Sequence, residues 1–301
     1  MILCCGEALI DMLPRQATTG EAAFAPHAGG SVFNTAIALG RLGAPVQFFS
    51  GLSSDLFGDI LLRELAASGV DSTPAAVSAR PTTLAFVTLT DGHASYAFYD
   101  ENTAGRMLNA DDLPQPQADA LFFGGISLMV EPCATAYETL MLRTAPHHVT
   151  MIDPNIRPSF IADEAAYRAR LARLFAAADI IKASDEDLAW ITGGADAQAL
   201  FATTSAQVIL LTRGADGVTV LTRDGTVDVP AQKANVVDTV GAGDTFSAGF
   251  LAHMHKTGHL TKNRISDASL DDLADATAFG AKVAAITVSR AGANPPWASE
   301  I

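Results

Sequence analysis

The sequence is poor in cysteine, in basic residues and in long apolar runs, and each shortage removes a class of protein. Its three cysteines, Cys4, Cys5 and Cys133, are odd in number and two are adjacent, so no disulfide framework or zinc spacing can be drawn from them. A reducing compartment is expected. Only 19 Lys and Arg stand against 33 Asp and Glu, a formal net charge of −14. Such a surface repels phosphodiester backbones and anionic lipid, which argues against nucleic acid and membranes as partners. No apolar stretch reaches the roughly 20 residues that a membrane helix needs. The first residues carry no basic group and meet Glu7 and Asp11 too early for a secretory leader, so the expected location is the cytoplasm. Two phosphate loops are missing as well. No G-x-G-x-x-G follows an early strand and no G-x-x-x-x-G-K-[ST] occurs, which sets aside dinucleotide oxidoreductases and P-loop enzymes.

What is present is apolar material in short, regularly spaced pieces. With 49% hydrophobic and 17% charged residues in 301, the chain can bury one large core. Ile2–Gly6, Leu121–Phe123, Val149–Ile152, Asp179–Lys182 and Val208–Thr212 read as buried strands. Between them, Val32–Leu42, Phe57–Ala67, Pro132–Arg143, Ala165–Ala177 and Leu273–Ala285 show helical spacing, with Gly43 and Gly69 placed as left-handed helix ends. Strand and helix in alternation predict an α/β fold around a mostly parallel sheet, with no division into two equal domains. Thr83–Tyr99 departs from that rhythm: it reads as a hairpin turning at Asp91-Gly92. With residues 12–28 it predicts a small sheet that projects over the carboxyl ends of the parallel strands.

The segment Asp238-Thr239-Val240-Gly241-Ala242-Gly243-Asp244-Thr245-Phe246 concentrates chemistry. Small residues at 241–243 followed by a helical pattern expose backbone amides at the positive end of a helix dipole, which attracts an anion. A carboxylate in that first turn, Asp244, stands where it could take a proton from an attacking hydroxyl. A helix-capping residue is the other reading of the same position.

The whole segment resembles D-T-x-G-A-G-D-x-F, the C-terminal signature of the PfkB (ribokinase-like) carbohydrate kinases. Three more segments match in the same order. Gly29-Gly30-Ser31-Val32-Phe33-Asn34, with Ala38-Leu39-Gly40-Arg41-Leu42-Gly43, is similar to G-G-x-x-x-N…A-R-L-G. Gly51–Gly58 is similar to G-x-x-G-D-D-x-F-G, with Ser54 a departure, and Thr212–Gly217 to T-x-G-x-x-G. The resemblance spans nearly the entire chain and implies a ribokinase-like three-layer α/β/α sandwich over residues 1–301, with a β lid from about 12–28 and 82–105. It implies transfer of the γ-phosphoryl of ATP to a sugar hydroxyl, Asp244 as general base, and Gly241, Ala242 and Gly243 as the anion hole.

Further roles follow from matching positions. Asp11, Gly29, Gly30, Asn34, Phe98, Asn155 and Asp244 are expected at the sugar; Asp11 and Asn34 offer the acceptor and donor that hydroxyls require. Asp153-Pro154-Asn155-Ile156-Arg157 resembles the D-P-N-x-R segment of fructokinase-like and ketodeoxygluconate kinase-like members. Arg157 is the candidate cation for the phosphates, a surface ion pair being its alternative. Lys182, Ser184, Thr212, Arg213, Gly214, Gly217, Gly241, Gly243 and Ala281 are expected at the nucleotide. Lys182–Asp187 falls where relatives carry N-x-x-E, so Asp187, or its neighbour Glu186, would organise magnesium through water. Ala281 stands where many relatives have Asn. Asp238, Val240, Thr287, Arg290 and Gly292 match a monovalent cation site, usually potassium, made mainly of carbonyls. Gly6–Pro14, Thr83–Val87 and Phe98-Tyr99 most resemble fructokinases, which points to fructose as acceptor. Arg106, where those enzymes have an acid, raises 2-keto-3-deoxygluconate as the rival; ribose and nucleosides stand further off. A silent sugar-binding relative would lack the acid at 244. The resemblance also implies a homodimer through the lid.

Overall fold

Alternation along one strand sets the architecture. In the computed structural model, β1 (Ile2–Cys5) sends Ile2 and Cys4 into one hydrophobic cluster and Leu3 and Cys5 into another, all four fully buried. A strand covered on both faces must be apolar throughout, which is why the central strands read as unbroken apolar runs. The structure describes residues 1–90, 93–194 and 196–301.

β2 (Leu9–Gln16) and β3 (Ala22–Gly29) leave the main layer as an antiparallel pair, and α1 (Ser31–Arg41) brings the chain back. β4 (Val46–Phe49) then pairs in parallel with β1. β5 (Gly51–Ser53), α2 (Leu56–Ala67) and β6 (Ala76–Ser78) form a small unit in which the two strands pair. β7 (Leu84–Thr90) and β8 (His93–Tyr99) complete a separate four-stranded sheet in the order β3-β2-β7-β8. The predicted turn at Asp91-Gly92 lies outside the described residues.

Strand and helix alternate from there: β9 (Ala120–Gly124), α3 (Cys133–Thr144), β10 (Val149–Asp153), α4 (Glu164–Ala177), β11 (Ile180–Ser184), α5 (Asp185–Thr192) and β12 (Val208–Thr212). β13 (Val218–Leu221) and β14 (Thr226–Val229) close one edge antiparallel, and α6 (Ala242–Lys256) and α7 (Leu270–Val288) follow. The large sheet runs β14-β13-β12-β11-β10-β9-β1-β4 and is parallel from β12 to β4. α1, α2, α6 and α7 cover one face and α3 and α4 the other, giving three layers. Phe48, Phe122 and Phe250 are fully buried in the first cluster; each contributes about 1.5–3 kcal/mol by leaving water.

The predicted strands and helices all lie where expected, within a few residues. α7 begins three residues earlier than its apolar period suggests because Ser269 and Asp272 form a capping box ahead of it. β4, α5, β13 and β14 carry too few residues to show a period on their own. Gly43 and Gly69 take φ 77° and 76°, as a left-handed helix end requires. Among the described residues no helix is long and apolar enough to cross a membrane.

Pairing register fixes the faces of the small sheet. Asp11 lies opposite Ala85, and Ala85 opposite Phe98, so these three share one face. Phe24, Phe86 and Tyr99 share the other, with edge-to-face ring contacts at 5.0 and 5.5 Å.

Candidate active site

The carboxyl ends of the parallel strands deliver Glu7, Asp153 and Ser184 to one side of the sheet, where open α/β folds bind ligands. Two helices aim their N-termini at the same place. α6 starts from Gly241 at φ 77°, a conformation that favours glycine, and a Cβ there would fall 2.6 Å from the Ala293 side chain. Gly241, Ala242 and Gly243 remain partly exposed; the Ala242 amide donates to the Thr239 carbonyl at 3.3 Å, which leaves those of Gly241 and Gly243 for an anion.

Asp244 follows in the first turn of α6, almost completely buried. Asn34 Nδ2, from the first turn of α1, donates to its Oδ2 at 2.9 Å, and Thr35 Oγ1 donates to its backbone carbonyl at 3.2 Å. These two bonds lock the helix starts together. Burial raises the Asp244 carboxyl above its ordinary value, while the Asn34 hydrogen bond and the charges of Lys182 and Arg157 pull it back. A base whose proton affinity is lifted toward working pH is better suited to accept a hydroxyl proton.

Lys182 is buried beneath this point. Its Nζ donates to Asp153 Oδ2 at 2.8 Å, and a Cβ on Gly243 would come within 3.0 Å of the same nitrogen. Burial opposes the Lys182 charge, but the facing carboxylates of Asp153, Asp187 and Asp244 outweigh it and hold the ammonium above its ordinary value. A fixed positive charge therefore lies directly behind the glycine turn.

On the side facing the small sheet, Asp11 presses against Gly29 so closely that a Cβ at Gly29 would collide with its Oδ2. No protein donor among the described residues meets the Asp11 carboxylate, and burial pushes it up to about 6. Phe98 packs edge-to-face on Phe160 at 4.3 Å, which bridges the small sheet to the segment after Arg157. Asn155 sits at φ 43°, in the left-handed region that Asn tolerates better than most non-glycine residues. Arg157 is exposed and donates to the Asn155 and Ile156 carbonyls at 3.3 and 3.0 Å.

On the opposite side, Ser184 caps α5 in a capping box with Asp187. Asp187 takes the Ile156 amide at 2.8 Å on Oδ1 and the Ser184 amide at 3.0 Å on Oδ2, which leaves each oxygen a lone pair for a further partner. Glu186 is exposed. Thr212 ends β12, and Gly214 and Gly217 bend the chain at φ 51° and 92°. Arg213 is paired with Asp228 at 2.9 Å. Ala281 is almost covered on α7, and Val283 is core. Asp238 accepts from the Val240 amide at 3.0 Å and the Gly292 amide at 2.9 Å, joining the loop before α6 to the loop after α7. Thr287 is buried nearby on α7, and Arg290 pairs with Glu300 at 2.7 Å. The drawing together of these two loops fits a hard cation ringed by their carbonyls.

The structure thus brings Asp244, Gly241–Gly243, Asn34 and Lys182 together, and places Asp11 beside Gly29. Sequence reasoning missed the partners: Thr35, Asp153 as the counter-charge of Lys182, and Glu7, whose carboxylate lies within electrostatic reach of Asp244. Only tertiary contacts identify them: helix against helix for Thr35, strand beside strand for Asp153, and the turn after β1 for Glu7.

A helix-capped anion site with a buried carboxylate beside it is phosphotransferase geometry, and comparison gives it a family. Residues 1–300 match the model of the pfkB family carbohydrate kinases, and the chain belongs to that family. It is a sugar kinase, a phosphotransferase with an alcohol group as acceptor. It is 53% identical over 279 residues to a fructokinase of Rhizobium leguminosarum bv. trifolii, covering 91% of this chain and 85% of that one. A fructokinase of Xylella fastidiosa with bound ATP superposes with a TM-score of 0.89 at 32% identity, over 97% and 93% of the two chains. A fructokinase of Vibrio cholerae in fructose-, ADP- and calcium-bound form shares the fold, with a TM-score of 0.85 at 24% identity over 97% and 94%.

Proposed function

We propose that this kinase phosphorylates fructose to fructose 6-phosphate with ATP, Asp244 acting as general base. The observation that carries the reading is the junction of α1 and α6, where Asn34 holds the Asp244 carboxylate at the mouth of the glycine turn. The acceptor hydroxyl gives its proton to Asp244 as its oxygen bonds to the γ-phosphorus, and ADP leaves. The negative charge spread over the transferring group is met by the amides of Gly241 and Gly243 and by Lys182 behind them, dipoles and charge already in place before reaction. Asp11, Gly29, Gly30, Asn34, Asn155 and Phe98 would hold the sugar, with Arg157 turned toward the phosphates. Ser184, Thr212, Arg213, Gly214, Gly217 and Ala281 would line the nucleotide.

Bound magnesium would neutralise phosphate charge, with Asp187 behind its water shell. A monovalent cation held by carbonyls of Val240, Arg290 and Gly292, with Asp238 and Thr287, would add positive potential beside the anion hole. The small sheet would act as lid to a single kinase domain, and its aromatic face of Phe24, Phe86 and Tyr99 would seat a second copy. Three buried free cysteines are in keeping with a cytoplasmic setting.

Fructose is favoured over 2-keto-3-deoxygluconate because Arg106, the cation that a carboxylated acceptor would call on, is held by Asp100 at 3.0 Å and by the Glu131 carbonyl at 3.1 Å. The test is ADP release with each acceptor from wild type and Asp244→Asn. Fructose-dependent release lowered about 10²–10⁴-fold in a folded Asp244→Asn is the expected result. Full turnover by the variant would remove Asp244 from the reaction, and preference for the acid would replace the sugar.

A further inference from the structure

Glu7 is a partly buried carboxylate to which the scheme above gives no task. It follows β1, which lies between β9 and the edge strand β4 of the large sheet, and its two oxygens accept from amides on different segments. Oε1 takes the amide of Ser31, the residue that opens α1, at 3.0 Å, and Oε2 takes that of Ser127 at 3.4 Å. Glycines make the room. A Cβ on Gly125, at φ 67°, would collide with both Glu7 oxygens; one on Gly30, at φ 110°, would meet the Glu7 carbonyl oxygen at 2.9 Å. Both positions need glycine for their backbone angle and again for the space.

α1 lacks what helices ordinarily carry at this end. Its cap residue is Gly30 with no side-chain bond, and its first turn contains no acid. Glu7 supplies from a neighbouring strand both the missing acceptor and the missing negative charge at the positive end of the dipole. The helix so anchored carries Asn34, which holds Asp244. We propose that Glu7 is a positioning residue for the acceptor sugar: by gripping the first amide of α1 it fixes Gly29, Gly30 and Asn34 relative to Asp244. The proposal rests on the reading of those residues given above.

The charge state of Glu7 matters to that grip, because only the ionised carboxylate offers an acceptor to both amides. Burial pushes Glu7 up to about 7, and the facing Asp244 adds to the rise, while the Ser127 and Ser31 amides oppose it. The other titratable groups around it are Tyr137 and Cys133 from α3 and the Arg106–Asp100 pair on the chain leaving β8. The grip is therefore complete above neutrality and is lost as pH falls through about 7, whereas Asp11 protonates lower, near 6.

The experiment measures KM for fructose, KM for ATP and kcat for wild type, Glu7→Gln and Asp244→Asn across about pH 5.5 to 8.5, with fructose affinity by calorimetry. In wild type the sugar KM should rise in two steps on acidification. In Glu7→Gln, whose amide group confronts one backbone amide donor with another, the sugar KM at high pH should rise about tenfold with ATP KM unchanged. The step near 7 should vanish and the step near 6 remain. A wild-type sugar KM at all pH values overturns the proposal, as does an equal rise in both KM values or a step near 7 that survives in the variant. Should Glu7→Gln not melt cooperatively, Glu7→Asp decides: its shorter carboxylate should raise the sugar KM with ATP KM unchanged, and a wild-type sugar KM in that variant overturns the proposal. Turnover retained by Asp244→Asn would remove the base while leaving the Glu7 anchor to stand or fall on the calorimetric comparison.

Discussion

Lys182 and Asp153 are the pair in which charge, burial and position meet most sharply. Their side chains are 6% and 1% exposed, and Asp153 Oδ1 has no partner among the described residues. Lys182→Met would strand the Asp153 carboxylate in the interior, and removing one partner of a buried pair costs about 3–5 kcal/mol. Urea unfolding should show that loss, with part of it regained in Lys182→Met/Asp153→Asn, which removes the stranded Asp153 charge while Asp187 and Asp244 remain nearby. Recovery of stability without recovery of kcat is the expected signature of a cation that serves the phosphoryl group. An equally stable single variant would show the pair to be idle. Asp244 and Asn34 were legible in the sequence because each belongs to a segment that matches a family signature, although either alone also reads as an ordinary residue of a helix start. Asp153 and Lys182 stand 29 residues apart on adjacent strands, and Glu7 is a lone acid after a strand. Nothing local announces either role: parallel pairing of β10 and β11 creates the first contact, and the packing of α1 and of the segment after β9 around Glu7 creates the second.

At the level of elements, Asp55 is the hinge between α2 and the small sheet. Its carboxylate caps α2 through the Phe57 and Gly58 amides at 3.0 and 2.8 Å, and it also takes the Thr82 amide at 2.9 Å and hydroxyl at 2.6 Å just ahead of β7. Burial raises its carboxyl, but the Thr82 hydroxyl and the Gly58 and Thr82 amides outweigh burial and leave it below the ordinary value. A depressed acid stabilises the fold above its unfolded value, and the benefit disappears as pH falls through the folded one. Asp55→Ala should lower stability by about 0.5–2 kcal/mol at neutral pH, a difference that shrinks in acid. Paired thermal melts at neutral and acid pH check the sign. Its sugar KM should rise more than its ATP KM, because the small sheet is rooted there. The sequence showed α2 by its helical spacing, β7 and β8 as a hairpin, and Asp55 as part of a family segment, but not the three-residue strands β5 and β6. It did not show Thr82, because the bond closes between α2 and a loop rather than within a motif.

For the whole molecule, the row of Phe24, Phe86 and Tyr99 is where the proposed dimer would join. Phe24 is 43% and Tyr99 62% exposed, on the face of the small sheet opposite Asp11 and Phe98. Light scattering should report two copies for wild type, and one for Phe24→Glu, whose charge would face the partner across an apolar contact. Wild type scattering as one copy would remove the dimer. The alternation of strand and helix made the layers legible in advance, whereas the face chosen by each aromatic residue needed the register of the four strands.

The adjacent thiols of Cys4 and Cys5 point to opposite sides of β1, the strand that both hydrophobic layers enclose. A water-borne reagent can reach either sulfur only after the central layer comes apart. The chain accordingly carries its own clock for complete opening: the pace at which those two sulfurs are modified counts excursions of the entire fold, and any molecule that binds the closed form will slow it in proportion to how tightly it is held.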